Sequence, residues 1–129
     1  MIGRVILDFS NGIGLIRKRT MVEETSSKRV PAKRDIYVIY PDGRTEFGKM
    51  LSISQVSAEI RMLDPKKIGE KLQVAFRLIR GADYDEFLCF VKVYSCRVVQ
   101  DRFTLELQFI QMPAPQKEAL SIYIRSKKR

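Results

Sequence analysis

From Asp35 onward, short runs of alternating apolar and polar residues are separated by turn signals. That is the pattern of antiparallel strands rather than of βαβ units. A first strand over 35–40 puts Ile36, Val38 and Tyr40 on one face, and Pro41-Asp42-Gly43 supplies a proline-initiated, glycine-permissive turn. A second strand runs from Arg44 to Ile53, and a third covers 58–62 before Leu63-Asp64-Pro65 stops it. Ile68-Gly69 marks another loop. The fourth run alternates most regularly, with Leu72, Val74, Phe76 and Leu78 against Gln73, Ala75 and Arg77. A polar loop over 80–86 leads into a long strand over 87–99, and Gln100-Asp101-Arg102 reads as a hairpin turn. In the sixth strand Phe103, Leu105, Leu107 and Phe109 face inward while Thr104, Glu106 and Gln108 face out. Pro113 and Pro115 break the strand pattern, and residues 116–126 carry Leu120, Tyr123 and Ile124 at helical spacing, so a terminal helix packs on the sheet.

Six antiparallel strands in so short a chain suit a small barrel or sandwich, and closure removes the unpaired edges that invite aggregation. The fold class is therefore all-β: a six-stranded antiparallel barrel with a C-terminal helix. Residues 4–9 and 13–16 flank Ser10-Asn11-Gly12, a strong hairpin signal, so an extra N-terminal hairpin is expected. Residues 20–31 are poor in large apolar side chains and read as a flexible linker. The expected division is an N-terminal extension over 1–27 and a barrel with helix and basic tail over 28–129. No apolar run reaches the ~20 residues of a membrane helix, and the N-terminal apolar stretch is too short for a secretory signal, so no transmembrane segment is expected and the default compartment is cytoplasmic.

Composition narrows the function. At 129 residues the chain suits one domain, and 45% hydrophobic content is enough for a packed core. The net charge of +9 is uneven: residues 1–34 hold eight Lys/Arg against three acids, residues 125–129 hold four cations and no acid, and the stretch between balances. A neutral body with two cationic ends attracts phosphates or an anionic surface. There is no histidine and there are two cysteines, so a zinc site and every Ser-His or Cys-His nucleophile are set aside. An all-carboxylate magnesium or calcium site stays open, with Asp83, Asp85 and Glu86 its nearest approach, although three acids in a loop are more often solvated. Cys89 and Cys96, seven apart in one strand, are expected on opposite faces and unable to pair. Gly12-Ile13-Gly14 lacks the rest of a dinucleotide-binding loop, and Arg17-Lys18-Arg19 reads as a solvated strand end. The composition points away from an enzyme and from a bound cofactor.

Two segments carry the candidate chemistry. Lys28-Arg29-Val30-Pro31-Ala32-Lys33-Arg34 places four cations in seven residues as an extended basic arm, whose guanidinium groups can grip phosphate and stack on purines. Leu51-Ser52-Ile53-Ser54-Gln55-Val56-Ser57-Ala58-Glu59-Ile60 reads as strand, turn and strand with hydroxyl residues at spacings of two and three. Together, and in this order, they resemble the PilZ domain family over residues 28–126: an Arg-x-x-x-Arg arm, a six-stranded barrel, an Asp-x-Ser-x-x-Gly motif and a terminal helix. In that family the two motifs bind cyclic di-GMP, arginines meeting phosphate and guanine and the second motif meeting a guanine edge.

Carried over by resemblance, Arg29 matches the first arginine, Lys33 replaces the second with Arg34 beside it, Ser52 replaces the aspartate, Ser54 matches the serine and Ser57 replaces the glycine. Lys33 keeps the charge and loses the planar fork. Ser52 loses a charge-assisted hydrogen bond of ~1.5–3 kcal/mol. Ser57 adds a side chain where glycine permits close approach. The resemblance implies a cyclic di-GMP receptor or adaptor in bacterial second-messenger signalling, with a protein partner in motility, secretion or signalling. The alternative is a degenerate PilZ adaptor that does not bind cyclic di-GMP. A third reading, a basic nucleic-acid or membrane-surface binder, rests on the cationic ends alone, without the interleaved aromatics of RNA readout.

Overall fold

The computed structural model describes residues 28–127. The expected N-terminal hairpin, most of the linker and Arg17-Lys18-Arg19 lie outside those residues. Six strands close into an antiparallel barrel: β1 (Val30–Ile39), β2 (Thr45–Ile53), β3 (Ser57–Met62), β4 (Lys71–Arg80), β5 (Asp83–Val99) and β6 (Arg102–Gln111), in the order β1-β2-β3-β6-β5-β4. One helix, α1 (Ala114–Lys127), follows.

The alternation becomes the core. Leu72, Val74, Phe76 and Leu78 of β4 are all buried, as are Ile36 and Val38 of β1 and Leu105 and Leu107 of β6. Phe76 and Phe87 stack across the β4–β5 pair with ring centroids 4.8 Å apart. Leu120, Tyr123 and Ile124 of α1 join the same cluster, as the helical spacing predicts. At the β1–β2 turn Gly43 adopts a positive φ of 93° and donates its amide to the Tyr40 carbonyl at 2.9 Å.

Five local expectations are corrected. First, β1 begins at Val30, so much of the basic arm is strand; Pro31 fits because this stretch pairs only with β2 among the described residues and its other edge needs no N–H. Second, the loop expected over 80–86 is a tight turn at Gly81-Ala82, with Asp83, Asp85 and Glu86 in β5; Asp85 pairs with Arg80 and Glu86 with Arg77. Third, α1 starts two residues early, because Pro115 is tolerated in a first turn, whose amides lack intrahelical partners. Fourth, a register shift between Val93 and Ser95 turns β5, so Cys96 packs against the core on the same side as buried Cys89. Both cysteines are free thiols. Thr104, expected outward, is also buried.

The barrel is closed unevenly. β4 and β5 share ten residue pairs, whereas β1 and β4 share four, from Ile36↔Phe76 to Ile39↔Gln73. Just beyond that seam β1 carries a bulge, with Ala32 and Lys33 set against the single residue Leu51 of β2.

Candidate functional site

The β2–β3 connection is held by its serines. The Ser54 amide donates to the Ser57 carbonyl at 2.7 Å, and the fully buried Ser54 Oγ accepts from the amides of Val56 and Ser57 at 3.1 and 3.0 Å. This hydroxyl-capped turn satisfies backbone donors that would otherwise be buried unpaired. Ser54 Oγ also lies 3.2 Å from Ser57 Oγ. The turn is fixed beneath the helix by Gln55 Nε2, which donates to Ser121 Oγ at 3.0 Å.

Arg29 reaches this turn from the far side of β2. Its Nε and Nη2 donate to Ser57 Oγ at 3.3 and 3.2 Å, and Nη1 lies 3.0 Å from Glu106 Oε2 on β6. The other carboxylate oxygen, Glu106 Oε1, accepts from Ser95 Oγ at 3.3 Å. Glu106 sits directly opposite Glu59 in the β3–β6 ladder, and Arg97 neutralises Glu59 at 3.0 Å. Two facing carboxylates repel, so each arginine relieves a local excess of negative charge. Glu106 is the residue that sequence reading missed. It was legible only as an outward-facing acid, because its partner depends on β6 lying next to β3.

The remaining candidates diverge. Ser52 is half-buried in β2, paired with Pro31 on one side and Glu59 on the other. Lys33 and Arg34 leave the bulge toward the opposite side of β1 and line an open groove of about 920 Å³ with Tyr37, Arg77, Leu88 and Gln116. Among the described residues neither forms an ion pair. Arg34 stands near α1: burial pushes the Tyr123 phenol above its ordinary value, and the Arg34 charge works against that rise. Arg29, Ser54 and Ser57 therefore form one cluster, and Lys33 and Arg34 form another. No group of three Cys, Asp or Glu side chains capable of holding a metal ion occurs among the described residues.

No protein-family model matches the sequence, and no curated protein matches it. Solved structures do match. The inhibitor of motility MotI/DgrA of Bacillus subtilis superposes with a TM-score of 0.69 at 18% identity, over 78% of this chain and 49% of that one. YcgR of Escherichia coli in complex with cyclic di-GMP gives a TM-score of 0.66 at 14% identity, over 80% of this chain and 45% of that one. The separate PilZ domain of YcgR with cyclic di-GMP gives 0.61 at 16% identity, over 80% of this chain and 90% of that one. The fold is a PilZ fold. The chain thus spans about half the length of MotI/DgrA and of YcgR, and nearly all of an isolated PilZ domain. The six-stranded antiparallel barrel and the terminal helix expected from the sequence are those observed. No helix among the described residues is long and apolar enough to cross a membrane.

Proposed function

We propose that this chain is a PilZ-type cyclic di-GMP receptor or adaptor, acting in the cytoplasm on a protein partner in motility, secretion or signalling. The observation that supports it is the contact of Arg29 with Ser57 on the Ser54 turn, which unites the two motif segments at one point of the barrel. Arg29 supplies a cation for a ligand phosphate, Lys33 and Arg34 supply cations on the groove side of β1, Ser52 and Ser57 supply hydroxyls near a guanine edge, and buried Ser54 holds the turn that presents Ser57. No chemistry is done on the ligand. Because residues from Val30 on are already strand, binding acts by exchanging partners on Arg29, a ligand phosphate taking the place of Glu106.

The test is calorimetric titration of the full chain with cyclic di-GMP at low and physiological salt, with GTP and cyclic di-AMP as controls. Selective binding near micromolar, about −8 kcal/mol, is the expected result, and Arg29→Ala weakens it at least tenfold. Equal binding by the Arg29→Ala protein would overturn the role given to the arm.

The Arg29–Glu106 pair also favours a second reading. An internal carboxylate already occupies the guanidinium, and Ser52 and Ser57 stand where the family has aspartate and glycine. On that reading the barrel is an adaptor that recognises its partner without cyclic di-GMP, and titration gives no heat even at low salt.

A further inference from the structure

The seam between β1 and β4 is the least complete pairing in the barrel. Hydrogen-bonded pairing stops at Ile36↔Phe76, while β4 continues through Arg80 with β5 as its partner and β1 begins at Val30 with β2 as its partner. Two strand edges therefore face a common gap. The sequence opens it: Pro31 removes an N–H from the β1 edge, and the Ala32-Lys33 bulge interrupts the regular strand where pairing with β4 ends. The 920 Å³ groove lies at this gap. Its surface is part apolar, since Tyr37, Ala75 and Leu88 stand opposite one another across β1, β4 and β5, with Tyr37 43% and Leu88 47% exposed. Its charge is one-sided. Glu86 is taken by Arg77 and Asp35 by Lys49, which leaves Lys33 and Arg34 as the groove cations without an acid among the described residues.

An unpaired edge beside an apolar, cationic groove has a recognisable complement. We propose that the β1–β4 seam docks an extended acidic segment of a partner protein, which pairs with the free strand edges at Lys33–Asp35 and Arg77, sets apolar side chains on Tyr37, Ala75 and Leu88, and turns carboxylates toward Lys33 and Arg34. Backbone pairing supplies affinity and alternate side chains supply selectivity, as in strand addition generally. The surface shares Lys33 and Arg34 with the proposed ligand set but contains none of Arg29, Ser54 and Ser57, so docking does not require the cyclic di-GMP reading.

The test uses the full chain and a fluorescent octapeptide, Glu-Val-Glu-Ile-Glu-Val-Glu-Ile. Two controls are its lysine counterpart and a version N-methylated at alternate residues, which cannot pair as a strand. The acidic peptide is expected to bind at least tenfold more tightly than either control. Leu88→Glu, at an exposed position, is expected to weaken it tenfold. Equal binding of the acidic and lysine peptides, or of the acidic and N-methylated peptides, would overturn the proposal. So would hydrogen exchange of the Ile79 amide as slow as that of the β4–β5 ladder in the peptide-free chain, because the edge would then already be filled by residues 1–27 or by a second copy.

Discussion

Arg29 Nη1 lies 3.0 Å from Glu106 Oε2, so the first arginine of the basic arm is bound to an acid in the sixth strand. Both side chains are 29% exposed, and a pair of that kind contributes roughly 0.2–1 kcal/mol. A phosphate ligand at Arg29 must first break it. Glu106→Gln therefore tightens cyclic di-GMP binding, by about two- to fivefold, while changing stability by less than about 1 kcal/mol. Calorimetry on the variant beside the parent checks the first figure and urea unfolding the second. Unchanged or weaker binding would mean that Arg29 does not meet the phosphate.

At the other end of the barrel Lys66 is tied down far more tightly. Its side chain is 7% exposed, and its Nζ lies 2.9 Å from Glu46 Oε1, which also accepts from the Tyr40 hydroxyl at 2.6 Å. Removing one partner of such a pair leaves a poorly solvated charge, so Lys66→Met destabilises the barrel by about 2–3 kcal/mol. A lower urea midpoint at constant slope is the expected readout.

The same pair sets a pH dependence. Burial alone would raise the Glu46 carboxyl, but hydrogen bonds from Tyr40 and Lys66 and the Lys66 charge outweigh it and hold the group below its ordinary value. Its contribution is therefore complete above the unfolded carboxylate range and is lost as pH falls through that range. Lys66 behaves in the opposite sense: burial lowers it, the Glu46 contacts outweigh burial, and its contribution is lost as pH rises above about 10.5. Glu46→Gln should flatten the acid limb of a stability-against-pH curve. An unaltered acid limb would show that Glu46 is not the group responsible.

What was legible in the chain follows from the range of the interactions. The period-two runs of β4 and β6 and the spacing of Leu120, Tyr123 and Ile124 are local, and each element appears where its apolar residues require it. Lys66 lies between the third and fourth strands with no local signal to mark it, because its partner Glu46 lies in β2. The bulges at Ala32-Lys33 and near Tyr94 were illegible for a related reason. A bulge is fixed by the register of a neighbouring strand, so periodicity alone puts Cys96 on the wrong face and starts the first strand at Asp35 rather than Val30. Of the six candidate residues, Arg29, Ser54 and Ser57 converge, and Lys33 and Arg34 are carried to the other side of β1 by that bulge.

The corrected cysteine geometry is itself testable. Burial pushes the Cys89 thiol up to about 12, so almost no thiolate forms at pH 8, whereas Cys96 is partly accessible. An aromatic disulfide reagent should label one thiol in the native protein and both after denaturation. Cys96→Ser should abolish the native reaction. Rapid labelling of two native thiols would place Cys89 outside the core.

Gly48 marks where β3 crosses β2. The last β2–β3 pair at this end is Lys49↔Arg61, and beyond it Met62 passes over Gly48. A Cβ built there would stand 3.1 Å from the Arg61 carbonyl oxygen and 3.1 Å from Met62 Cγ. Met62 is buried among the core residues and has little room to yield, and the Arg61 carbonyl belongs to the sheet backbone. Gly48→Ala adds one methyl group to a close-packed crossing and should cost about 1–3 kcal/mol. Met62→Ala removes the side-chain half of the clash while opening a cavity of its own, so the two changes should not be additive. In the double variant Gly48→Ala should cost at least about 0.5 kcal/mol less than it does alone, the coupling expected of residues in contact. Full additivity in urea unfolding would show that the strands separate at Gly48 rather than press together.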